Sequence, residues 1–231
     1  MNMTQKTTAV LLVHGLQESP RFFDFLLRGL PEGTPFRAVQ LPGHGGKRRS
    51  FRRADREAWE RCVNQAAVEL GQQYGRVVFV GHGMGCLLGL KAAMQPGVRF
   101  SALLFLACPL RLKNPARYVR ALRLSRGQKD PAAAALREVC ALSRPVTPLG
   151  CPGPYLEFLR LKKEIGAVRK KPLLRVTAAF CEKDEIVSPR SIPVAKAWRF
   201  APMALPDCTH WYFTEEARAV LRQVLCALLE S

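Results

Sequence analysis

The chain has 231 residues, 48% hydrophobic and 23% charged, a composition that suits one globular domain with its own core and excludes collagen, coiled coil and global disorder. Lys and Arg number 36 against 18 Asp and Glu, a net charge of +18, which favours acidic partners: nucleic acid, anionic lipid or an anionic ligand. The longest uncharged apolar run, Ala102–Leu110, is far short of a bilayer span, and the apolar stretch Ala9–Val13 is too short for a signal peptide.

Short apolar runs alternate with longer amphipathic stretches, the pattern of a parallel sheet covered by helices. In chain order the reading gives a strand at Ala9–Val13, a helix at Pro20–Leu30, a strand at Phe36–Leu41 and a helix at Ala54–Tyr74. A strand at Val77–Val80, a helix at Met84–Met94 and a strand at Ala102–Ala107 follow. The near-continuous hydrophobicity of these runs suits strands buried on both faces. The alternation then breaks. Three helical stretches, Ala116–Ser125, Ala132–Leu142 and Tyr155–Ile165, are punctuated by Pro131, Pro145, Pro148 and the run from Cys151 to Pro154. Residues 111–171 therefore read as a helical cap inserted into a core of residues 1–110 and 172–231. The core resumes with a strand at Leu173–Ala178, a helix at Arg190–Lys196, a strand at Trp198–Leu205 and a helix at Thr214–Leu229. Thr214 suits an N-cap, and two glutamates follow it.

The cap carries 15 Lys and Arg against 4 Asp and Glu, and Arg117, Arg120 and Arg123 share one helix face. A second basic cluster spans Lys47 to Arg61. This charge reads either as a solvated face or as a docking surface for an anionic membrane or ligand. A nucleic-acid binder is the more remote reading, since no such motif is present and the aromatics do not interleave with the basic runs. The 8 cysteines form no CxxC pair, which gives no support to a zinc site. With no export signal read, the expected setting is the reducing cytoplasm.

All 4 histidines fall in loops that follow predicted strands, where open parallel sheets bind ligands. The loops hold His14-Gly15-Leu16, Pro42-Gly43-His44-Gly45, Gly81-His82-Gly83-Met84-Gly85, and the pair Asp184 and His210. Glycines at 81 and 85 suit a sharp strand-to-helix turn with no room for Cβ atoms. Amides at the start of the following helix would stabilise an oxyanion.

These segments, with Glu182–Val187 and Thr209-His210, resemble in order and spacing the α/β-hydrolases of the carboxylesterase and monoacylglycerol-lipase type. The resemblance spans nearly the whole chain. It implies a six-stranded, mostly parallel sheet, smaller than usual because the strands that precede the His-Gly strand are absent. It also implies that Asp184 orients His210, that His210 is the general base, and that the amides of Leu16 and Met84 form the oxyanion hole. An apolar pocket is expected under the cap, lined in part by Leu16, Phe22, Met84 and Leu156, with His14, Gly15, His44 and His82 also counted among its residues. No metal or other cofactor is called for.

In one place the sequence departs from that family: Gly83 stands where the family's Gly-x-Ser-x-Gly has its nucleophile. Loss of that serine typically costs about six orders of magnitude in turnover. Three readings stay open: a pseudoenzyme that binds an acyl, ester-like or anionic ligand; an enzyme working through the His-Asp dyad on water or an acidic proton; and a serine hydrolase altered from Ser to Gly. Cys86 is not a substitute, because three residues past the turn it points back along the helix. Ser101, Ser125, Ser143, Ser188 and Ser191 lack the turn context altogether.

Overall fold

A computed structural model describes residues 7–114, 119, 131–140, 142, 146–168 and 174–231. β1 (Thr8–Val13) is buried from Ala9 onward. Its side chains alternate between the two faces of the sheet: Ala9, Leu11 and Val13 join one core cluster, Val10 and Leu12 another. β3 (Arg76–His82) divides the same way, with Val77 and Phe79 opposed to Val78 and Val80. With β2 (Phe36–Val39), β4 (Ala102–Leu106), β5 (Arg175–Cys181) and β6 (Ala201–Leu205), they form one six-stranded sheet ordered β2-β1-β3-β4-β5-β6. Every pairing is parallel. The expected α/β class, with a six-stranded parallel sheet, holds.

α3 (Arg56–Tyr74) and α4 (Met84–Ala92) pack on the first face. The side chain of Asp55 caps α3 by accepting the Ala58 amide at 2.7 Å, and Gly75 ends the helix with φ 72°. The second face takes α1 (Asp24–Leu27) and α8 (Glu215–Glu230), the latter capped by Thr214 on the Ala217 amide.

Several boundaries differ from the sequence reading. The stretch 20–30 forms a 3-10 turn, Pro20–Phe23, and the single turn of α1, because Gly29 and Pro31 oppose a longer helix. α2 (Arg48–Arg52) was not foreseen; Phe51 is its one buried residue, so it offers no period to read. β6 begins at Ala201, three residues late, because Trp198 caps α7 (Ser191–Ala197) and Arg199 takes a φ of 61°. β5 runs on to Cys181, which pairs with Leu205.

Between β4 and β5 lie α5 (Pro131–Val139) and α6 (Pro152–Ala167). α5 stops before Leu142 because Cys140 and Leu142 bridge to Glu18 and Gly46 instead. α6 starts early because a proline fits a helix's first turn. Glu164 pins it to the core through Arg56, at 2.6 Å, and Lys91. The expected helix Ala116–Ser125 and its arginine face lie outside the described residues, apart from position 119. Among the described residues no helix is long and apolar enough to cross a membrane.

Candidate active site

Parallel registry brings the chemistry to one edge of the sheet. Leu12 pairs with Val80 and Val13 with Gly81, so the loop after β1 and the turn after β3 emerge together. Gly85 lets α4 press against β1, since a Cβ there would meet the Val13 carbonyl oxygen at 2.0 Å. Gly83 forms the turn itself, at φ 50° and ψ −118°, a backbone that strains any residue carrying a Cβ by about 1–3 kcal/mol.

Asp184 follows β5 and His210 follows β6. Asp184 is buried, and its Oδ1 accepts the amides of Ile186 and Val187, both at 2.7 Å. Its Oδ2 accepts from His210 Nδ1 at 2.9 Å. The remaining nitrogen faces Gly83: a Cβ built there would lie 3.4 Å from His210 Nε2. Burial opposes charge on His210, but Asp184 by charge and hydrogen bond, then Glu18 and Glu185, outweigh it and raise its pKa. Glu185 Oε2 accepts the His210 amide at 3.0 Å, and burial raises the pKa of its own carboxyl.

A cavity of about 210 Å³ opens onto this pair. Leu16, Gly83, Met84, Pro109, Leu112, Lys113, Tyr155, Phe158, Leu159, Ile186, His210 and Trp211 are among its lining residues. Leu16 and Met84 therefore stand where expected, and Met84, first residue of α4, has an amide that no carbonyl within the helix can reach. Leu156 does not: it is 53% exposed, because helical phase turns Tyr155, Phe158 and Leu159 to the cavity instead. Phe22 is also placed elsewhere, buried in the second core cluster and stacked on His82 at 3.8 Å between centroids.

Against expectation, Gly15 and the other three histidines are not among the residues that line this cavity. His14 Nδ1 donates to the Gly15 carbonyl at 2.9 Å and its Nε2 accepts the Leu41 amide at 3.2 Å, so it is neutral. Burial lowers its pKa to about 4. His44 packs edge-on to His14, Phe51 and Trp59, and burial lowers its pKa to about 3.

Sequence reasoning missed Glu18, which is the buried hub of the loop after β1. Its Oε2 accepts the Gly15 amide and His82 Nδ1, each at 2.7 Å, and its Oε1 accepts Trp211 Nε1 at 3.2 Å. Gly15 leaves room for this carboxylate; a Cβ there would be 2.8 Å from both oxygens. His82 Nε2 in turn donates to the His210 carbonyl at 2.9 Å. Both ring nitrogens of His82 thus face acceptors, one of them the Glu18 carboxylate. Burial alone would raise the Glu18 pKa; His82 by charge and hydrogen bond, then His210 and the Gly15 amide, hold it at about 2. Ligand atoms of Glu18, His82 and His210 lie within 4.8 Å of one another. Yet donors already fill the Glu18 oxygens, and both His82 nitrogens are engaged by protein partners, so the group does not suit a metal ion.

Cys86 Sγ points away from the cavity, to the carbonyls of Gly81 and Leu106 at 3.2 and 3.4 Å. Burial pushes its thiol well above the ordinary value, which leaves it inert.

A sequence profile described as the Alpha/beta hydrolase family matches residues 10–223. The chain belongs to that family. No curated protein matches it. Among solved structures it is similar to a soluble variant of the monoglyceride lipase of Saccharomyces cerevisiae, with a TM-score of 0.77 and 16% identity over 97% of this chain and 86% of that one. It is similar also to a chain described with LipS and LipT, two metagenome-derived lipolytic enzymes, with a TM-score of 0.73 and 19% identity over 98% and 95%. The monoacylglycerol lipase of Paleococcus ferrophilus gives a TM-score of 0.65 and 18% identity over 96% and 94%.

Proposed function

We propose that this α/β-hydrolase-fold protein is a hydrolase-like pseudoenzyme that binds an acyl-type ligand without covalent catalysis. The observation that carries this is the empty reach of His210: its Nε2 faces position 83 across 3.4 Å from a Cβ site, and residue 83 is glycine. In the family's chemistry that nitrogen takes a proton from a serine hydroxyl; Gly83 has none to give. The cavity beside it is walled mainly by apolar side chains, and the lipolytic names of its structural neighbours agree with an acyl occupant. The amides of Leu16 and Met84 form an oxyanion hole that grips the ligand's oxygen, and residues 111–171 act as the cap. The free state of all 8 cysteines supports a reducing, cytoplasmic setting.

The intact bond from His210 to Asp184, 2.9 Å, favours a second reading, in which the dyad activates water directly. Against it, the raised pKa of His210 reduces the share of neutral base near neutral pH.

The test replaces Gly83 with Ser and assays short-chain p-nitrophenyl esters. The unaltered chain is expected to stay near background and Gly83→Ser to gain several orders of magnitude. The strain at φ 50° lowers stability but does not forbid the serine. Substantial turnover by the unaltered chain would replace the binder reading with the dyad one. A folded Gly83→Ser without activity would remove Asp184 and His210 from any hydrolase role.

A further inference from the structure

Resting on the binder reading, we propose that the ligand is a medium-chain aliphatic carboxylate, its headgroup seated beside Gly83 between His210 Nε2 and the amides of Leu16 and Met84.

The polar end of the cavity calls for two acceptor oxygens. With Nδ1 committed to Asp184, His210 offers only Nε2 to the cavity, and in its protonated form that atom is a donor. A serine would put an oxygen next to that nitrogen; at Gly83 the oxygen has to come from the ligand. The Met84 amide, which no carbonyl within its own helix can reach, supplies the second donor, and Leu16 lines the same cavity. A carboxylate satisfies both with its two oxygens. An alcohol brings one oxygen, and an ester's second oxygen is a weak acceptor.

Charge agrees with this assignment. Among the described lining residues there is no Asp or Glu, and Lys113 is one of them, its ammonium held by the Asp184 carbonyl oxygen. The groups packed around His210 are Asp184, Glu185, Glu18 and the His82 ring, whose centroid lies 4.7 Å away. Glu18 Oε2 lies 2.7 Å from His82 Nδ1, and Asp184, then Glu18 and Glu185, favour the His210 imidazolium. The anionic groups thus sit behind the histidine while its donor face is turned to the ligand. Beyond the head, Leu112, Phe158 and Ile186 offer apolar wall to an alkyl chain.

Isothermal titration of the full chain with octanoate, methyl octanoate and octan-1-ol tests this. Octanoate should bind about tenfold or more tightly than either neutral analogue, the range of one charge-assisted hydrogen bond. His210→Phe should abolish that preference, its fold checked by an unchanged circular-dichroism spectrum and a cooperative urea transition; Lys113→Met should reduce the preference. Equal binding of all three overturns the carboxylate assignment and leaves the binder reading standing. Binding of none overturns both, and release of octanoate from methyl octanoate by the unaltered chain overturns the binder reading on its own.

Discussion

Asp184 and His210 were legible as residues because each directly follows a strand of a parallel sheet, where the fold itself fixes what they can reach. Glu18 was not. Its role exists only when Gly15 of its own loop, His82 at the end of β3 and Trp211 after β6 converge on it, and one glutamate in a loop carries no periodic signal. The same convergence makes it sensitive to change. Glu18→Gln keeps the shape but leaves one acceptor oxygen for three donors, and it removes the buried carboxylate charge beside His82 and His210. Breaking a buried pair in this way costs about 3–5 kcal/mol, read as a fall in the urea midpoint at unchanged m-value. A loss below about 1 kcal/mol would mean that the hub holds little. Gly15→Ala should damage the same contact, because its Cβ would sit 2.8 Å from the Glu18 oxygens. The two effects should therefore fail to add: in a Glu18→Ala background the methyl at 15 has room, and its cost should shrink.

At the scale of elements, the strands were read well because burial on both faces leaves little room for polar residues. Helix boundaries were read less well, since caps, prolines and single glycines decide them locally. α6 shows the consequence. Its existence was clear from its apolar spacing, but its phase was not, and Leu156 was assigned to a cavity that Tyr155, Phe158 and Leu159 occupy. Leu156→Ala should therefore change stability by less than about 0.5 kcal/mol and leave ligand binding intact. Phe158→Ala, which removes apolar wall, should weaken binding of the acyl ligand. Leu156 is exposed, as is Leu149 at 91%. Arg160 and Lys163 lie on the same helix. Exposed leucines among cations suit an anionic membrane surface. Vesicles with phosphatidylserine should bind at low salt more strongly than phosphatidylcholine alone, and Leu149→Asp should weaken both. Equal binding to the two lipids would reduce the basic charge to a solubility device.

For the whole molecule, the six-stranded parallel sheet followed from the family's pattern, but the way loops are locked together did not, because buried histidines look alike in sequence. His14 and His44 are buried neutral and knit the β1 and β2 ends, whereas His210 is pulled towards its cation. They respond to pH with opposite sign. His14 and His44 have folded pKa values of about 4 and about 3, below the ordinary 6.5, chiefly through burial. As pH falls below about 6.5 the unfolded chain takes up these protons first. Stability is therefore lost progressively between about pH 6.5 and pH 3–4. Glu18, at about 2 against an ordinary 4.5, adds a loss only below about pH 4.5. His210 has a raised pKa, so its contribution is complete below about 6.5 and fades as pH rises through the folded value. It cannot offset the acid loss. Urea unfolding should accordingly be most resistant near pH 6.5–7 and fall steadily towards pH 4, by a few kcal/mol in all. His44→Phe isolates one term. Phenylalanine fits the aromatic nest of Phe51 and Trp59, and it removes a buried Nε2 that has no partner among the described residues. It should flatten the acid limb by up to one proton, about 1.4 kcal/mol per pH unit, with little change near neutrality. An acid limb as steep as that of the unaltered chain would place its origin in groups other than His44.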